Sequence, residues 1–196
     1  MAGSCSVCTR AVCGVEGVES AGAWLQVVEL FNSLLQIGLD PSARTYVTLM
    51  RAYQSLGAYG RARGAYAAAD AAGKRTTAAT NLLVAILVDA QNLPEASDTV
   101  AALSANARTA PEAQALLPGF AALAGGLAKE GRAAECVALL RRFTQLGGSP
   151  DEQLFDVVLR CCVRCGEVCR HPSLHLLRRA HAVLVTVHLP LIRLAR

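Results

Sequence analysis

Two sets of helix stops, written in the same period, constrain this chain more than anything else in it. The segment AKEGRAAECVALLRRFTQLGGSPDE (128–152) reads as the end of one helix, Gly-Arg, an amphipathic helix, Gly-Gly and then Ser-Pro-Asp. The same punctuation returns in QSLGAYGRARGAYAAADAAGKRTT (54–77) and in AGAWLQVVELFNSLLQIGLDPS (21–42). The expected inter-helix positions are Gly22, Gly57, Asn92, Gly131 and Gly166, with steps of 35, 35, 39 and 35 residues. Pro41, Thr76, Pro111 and Pro150 follow with steps of 35, 35 and 39. Both markers therefore carry one four-residue insertion, which must lie between Pro111 and Gly131. A fixed period of this length predicts stacked supersecondary units rather than one irregular core.

The apolar positions keep the same register. Units begin at Thr9, Arg44, Ala79, Pro118 and Gln153. Their third residues are Ala11, Tyr46, Asn81, Phe120 and Phe155; their sixth are Gly14, Leu49, Val84, Leu123 and Val158. The tenth are Val18, Tyr53, Val88, Leu127 and Cys162. Positions 3, 6 and 10 share one helical face, so each leading helix is predicted to bury that face. Each second helix should end at a glycine, Gly38, Gly73 or Gly147, where a left-handed cap is allowed. The predicted fold is all-α, an α-solenoid of about 4–5 helix-turn-helix repeats with a period of ~35 residues, over residues 9–187. Residues 1–8 and 188–196 read as tails, the second of them basic.

Composition agrees with helices. The chain of 196 residues is 53% hydrophobic but only 5% aromatic, so its apolar mass is Ala, Leu and Val. Ala and Leu are the best helix formers, and the alternation that marks strands is nearly absent. No run of 18 uncharged apolar residues occurs, so no membrane span is expected. The N-terminus shows neither the apolar run of a signal peptide nor the acid-poor bias of a transit peptide.

The residues of these units resemble the pentatricopeptide-repeat family. RTYVTLMRAYQSLGAYGRA (44–62) is similar to the family's opening and middle, AKEGRAAECVALLRRFTQLGGSPDE to its middle and end, and IGLDPS (37–42) to its ending. The resemblance implies an α-solenoid, an organellar setting and RNA-linked work. It also implies two base-reading positions per unit. The first falls on Val12, Val47, Leu82, Ala121 and Asp156, the second on Ser42, Thr77, Glu112 and Asp151. Reading a base edge needs hydrogen-bonding groups, which Val, Leu and Ala lack. RNA is therefore expected to be held by its phosphates, without base reading.

The outward stripe of each leading helix is taken as positions 1, 4, 8 and 12. It carries Arg44 and Arg51 in one unit, Lys129 in another, and Arg160 and Arg164 in the last. These five are the expected phosphate contacts. The third unit instead places Ala79, Leu82, Ile86 and Ala90 there, and this apolar stripe is expected to be a protein interface. The net charge of +4 comes from 17 Arg and 2 Lys against 15 acids, which is compatible with nucleic acid without requiring it.

Chemistry is faint. The four His all lie near the C-terminus, with no HExxH spacing and no nucleophile elbow, so the chain is expected not to be an enzyme and to use no cofactor. Cys5/Cys8 and Cys162/Cys165 have zinc-ligand spacing. In a solenoid, however, four units of about 8–10 Å per helix layer hold the pairs apart. A local site from Cys162, Cys165, Cys169 and His171 or His175 is the alternative to a buried stripe of plain thiols, and no metal is expected. The resulting expectation is a non-catalytic component of an organellar ribonucleoprotein, a mitochondrial ribosome, with RNA and protein subunits as partners. A chloroplast is the alternative compartment, and a tetratricopeptide-like protein adaptor without RNA is the alternative function.

Overall fold

The structure, a computed structural model, describes residues 21–165. The tail 1–8, the leading helix from Thr9, Gly166, Cys169, the histidines and the tail 188–196 lie outside the described residues. Within them the chain is all-helical, with no strand. The helices are α1 (Ala21–Gln36), α2 (Ala43–Ser55), α3 (Tyr59–Ala71), α4 (Thr77–Asp89) and α5 (Leu93–Asn106). They continue as α6 (Ala110–Ala115), α7 (Leu117–Lys129), α8 (Ala133–Gln145) and α9 (Glu152–Arg164).

Local chemistry sets these boundaries. The hydroxyls of Ser42 and Thr76 and the carboxylate of Asp151 accept from the backbone N–H groups of Thr45, Ala79 and Leu154, capping α2, α4 and α9. At the other ends, Gly38, Gly73 and Gly147 have φ of 76°, 66° and 81°. That left-handed turn lets Leu39, Lys74 and Gly148 donate back to Leu34, Ala69 and Phe143 and close α1, α3 and α8. Gly57 and Gly131 turn the chain between α2 and α3 and between α7 and α8.

Gly22 lies in the first turn of α1, and the residues before that helix lie outside the described ones. One of the expected turn positions is corrected. In the hairpin of α4 and α5 the left-handed residue is Gln91 (φ 60°), not Asn92. Asn92 follows it and caps α5, accepting from the Glu95 N–H and donating to the Glu95 carboxylate at 2.6 Å. A side chain with a Cβ costs about 1–2 kcal/mol in this conformation, and Gly is penalised less there. Gln91→Gly is therefore expected to raise stability by about 0.5–1 kcal/mol, read as a higher urea midpoint. A lower midpoint would mean that the Gln91 side chain contributes more than its strain removes.

Packing follows the predicted faces. α2, α4, α7 and α9 form a row of neighbours, while α3, α5 and α8 each touch the row helix before and the row helix after them. α1 packs on α2. At the third and sixth unit positions, Tyr46, Asn81, Phe120, Leu49, Val84, Leu123 and Val158 are buried, and Phe155 is half-buried. One apolar cluster joins α4 to α9 and a second joins α1 to α4, with Leu83 packed against both. Each fully buried Leu or Val is worth about 1.5–3 kcal/mol.

A short separate helix, α6, precedes α7 in the region of the expected insertion. Thr109 caps α6 through a reciprocal box with Glu112, whose carboxyl the Arg108 N–H holds below its usual pKa. The chain then bends at Leu116 and α7 begins. Asn81 reaches across to this bend, donating to the Ala115 carbonyl at 2.8 Å. Its Oδ1 has no hydrogen-bond partner among the described residues and would lie only 2.8 Å from a Cβ placed on Gly119.

The expected outward stripe of α4 is corrected as well. Ala79 and Ile86 are fully buried, among Tyr46, Met50, Ala62 and Ala65 of α2 and α3. Leu82 is half-buried and only Ala90 is exposed. α4 is covered because it stands between α2 and α7 in the row, with α3 and α5 behind it.

Candidate nucleic-acid interface

The structure brings three of the five expected phosphate contacts together. Lys129, Arg160 and Arg164 line a groove of about 550 Å³ between α7 and α9. Its floor is largely apolar: α7 offers Gly125 and Ala128, while α9 offers Val157, Leu159 and Val163. Val163 is 65% exposed. No aromatic residue lines this groove. Arg44 and Arg51 are exposed on α2, and α4 separates that helix from α7 in the row.

Each cation in the groove is positioned by its own helix. Lys129 is the last residue of α7 and Arg164 the last of α9, where positive charge is favoured by the helix dipole. Arg164 also donates to the Ala128 carbonyl in the last turn of α7, which the Gly131 N–H shares, and so ties the two helices together. Arg160 is bidentate to Asp156 one turn earlier, with Nε to Oδ1 at 2.9 Å and a second N–H to Oδ2. That hydrogen bonding and charge hold its pKa above the ordinary guanidinium value. Beside the groove, a cavity of about 310 Å³ is lined by Glu152, Gln153, Asp156 and Leu159. The outer face of α9 therefore runs from acidic at its start to basic at its end.

Sequence reading found the cations and missed what surrounds them. The pairing of Asp156 with Arg160 was signalled by their spacing of four. The exposed Val163 and the small floor residues carried no signal beyond helical phase.

The thiols occupy a different face. Cys136, Cys161 and Cys162 are buried between α8 and α9. Cys165 is exposed, correcting its expected place on the buried stripe, and its Sγ donates to the Gly131 carbonyl at 3.0 Å. Burial, with Cys161 beside it, pushes the Cys136 thiol up to about 12, which keeps it protonated and unreactive near neutral pH. Among the described residues no three His, Cys, Asp or Glu side chains are gathered to hold a metal ion. No helix among them is long and apolar enough to cross a membrane. No protein-family model and no curated protein matches the sequence.

Proposed function

We propose that the chain is a non-catalytic helical-repeat component of an organellar ribonucleoprotein, a mitochondrial ribosome, that contacts RNA phosphates without reading bases. Its architecture in this reading is an α-solenoid of pentatricopeptide-like units. Some support for the period comes from five hydrogen bonds between neighbouring pairs that span 34–36 residues, beside three that span 32, 33 and 41 (Arg63 to Glu95, Lys74 to the Pro41 carbonyl, Arg142 to the Ala101 carbonyl). Gln54 donates to Asp89 (35 residues away), Asn81 to the Ala115 carbonyl (34), and Arg164 to the Ala128 carbonyl (36). The Ser149 N–H donates to Gln114 (35) and Cys165 to the Gly131 carbonyl (34).

The observation that carries the proposal is the convergence of Lys129, Arg160 and Arg164 on one groove. Cations at helix ends can follow a phosphate backbone, and the counterions they displace give binding its salt dependence. The expected base-reading positions Val47, Leu82 and Ala121 offer no hydrogen bond, and the Asp156 carboxylate is engaged by Arg160. Protein subunits of the same assembly are the further partners.

Lys129→Gln with Arg164→Gln is expected to weaken binding of unrelated RNA sequences about equally, by roughly tenfold at 0.1 M salt. The salt slope for a single strand should flatten by about 1.4, or 0.7 per phosphate contact. Unchanged affinity would remove the groove from RNA binding. A loss confined to one sequence would mean that bases are read. The apolar floor and the exposed Val163 favour a second reading, a tetratricopeptide-like adaptor that seats a partner peptide. Peptide capture on that floor would be nearly insensitive to salt, which separates the two.

A further inference from the structure

The groove holds a competitor for its own ligand. Asp156 and Arg160 lie one turn apart on α9, and the carboxylate grips the guanidinium through two N–H groups. This is the geometry with which an arginine takes a phosphate. Arg160 also lines the groove with Lys129 and Arg164, so the carboxylate occupies donors that an RNA phosphate there would need. Both partners are open to solvent, their side chains 76% and 46% exposed. An exposed pair at this spacing is weak and exchanges readily. Glu152, one turn before Asp156, adds a second negative charge on the side from which the backbone would otherwise continue.

We infer that Asp156 is an intramolecular latch that lowers the groove's affinity for RNA by holding Arg160, and that Glu152 and Asp156 confine the phosphate track to the C-terminal ends of α7 and α9. The inference rests on the proposed phosphate reading of this groove. A bound strand must displace the carboxylate, and the carboxylate's negative charge then stands close to a phosphate. Both effects act against binding and both vanish with the charge. Asp156 thereby determines affinity without touching a base. Its hydrogen-bonding capacity, which at this position would otherwise suit base recognition, is spent on Arg160. Arg160 remains a full cation when released, because a guanidinium does not deprotonate in a protein.

The test uses the full chain and a uridine 20-mer RNA at several salt concentrations. Asp156→Asn keeps the shape of the side chain and removes its charge. It is expected to tighten binding about two- to tenfold and to steepen the salt slope by about 0.7, one further phosphate contact. In an Arg160→Gln background the same substitution should give only part of that gain, the part from removing the negative charge, because there is no guanidinium to release. Circular dichroism confirms that each variant is folded. If wild-type protein binds and Asp156→Asn binds no tighter, the latch is overturned while the phosphate reading stands. An equal gain with and without Arg160 would also overturn it, since Asp156 would then act by simple repulsion. If neither protein binds RNA at low salt, both the latch and the phosphate reading fall. Binding by Asp156→Asn alone would support both.

Discussion

Ile86→Asp is expected to unfold the chain, whereas Leu82→Asp one turn earlier should leave it folded. Ile86 is fully buried against α2 and α3, and Leu82 is half-buried on the same helix. Truncating a buried Ile costs about 2–5 kcal/mol, and a buried, unpaired charge costs several more unless it is neutralised. The sum is about 5 kcal/mol or greater, comparable to the whole stability of a domain of this size. Far-ultraviolet circular dichroism and urea unfolding would read the result. Helical Ile86→Asp protein with a wild-type midpoint would show that this face of α4 is open. That outcome would restore the partner-interface role expected from the sequence for Ala79, Leu82, Ile86 and Ala90.

The reason that stripe was misplaced lies in α4 itself. Helical phase was legible wherever a polar side chain marked the outer surface, as Arg44 and Arg51 do on α2. The segment 79–90 is apolar on nearly every side, so its periodicity names no outward face. Which side is covered depends on neighbours. Ala79 and Ile86 turn toward the preceding helix pair, a fact about stacking rather than about the helix. The stops were easier to read. Gly38, Gly73 and Gly147 end helices by local backbone geometry alone, and Ser42, Thr76 and Asp151 start them by local hydrogen bonds. Asn92 shows the limit of that approach, since its type fits both a left-handed turn and an N-cap. The structure uses it as the cap and leaves the strained turn to Gln91.

The groove divides in the same way. Helical spacing put Arg160 and Arg164 on one face of α9. It could not show that Arg164 would reach 36 residues back to the end of α7, or that Lys129 would stand beside it. Those are contacts between elements. Their lengths depend on how closely α7 and α9 approach, and Gly125 and Ala128 leave that approach open. A four-residue insertion is expected from the sequence between Pro111 and Gly131. The short helix α6 and the bend at Leu116 were not legible, because Pro111 and Pro118 each suit a helix start.

Phe143→Ala carries the second large effect and tests the other end of the core. Phe143 is fully buried on α8 and its ring lies 5.0 Å from that of Phe120 on α7, tilted by 53°. The two rings join the leading and second helices of one pair inside the larger apolar cluster. Deleting a buried Phe side chain costs about 3–5 kcal/mol, including the cavity left behind, and the aromatic pair adds about 0.5–1.5 kcal/mol of that. The neighbouring turn depends on the same ring. A Cβ on Gly148 would meet Phe143 ring carbons at 2.5–2.8 Å, so the second glycine of Gly147-Gly148 is required by contact, while the first is required by its φ of 81°. Gly148→Ala should therefore be destabilising in the wild-type chain and nearly neutral once Phe143 is Ala, because the cavity accepts the added methyl. A double-mutant cycle followed by urea unfolding measures this coupling. Additive losses from Phe143→Ala and Gly148→Ala would show that the turn and the ring are energetically independent and that the close approach of Phe143 is not what requires Gly148.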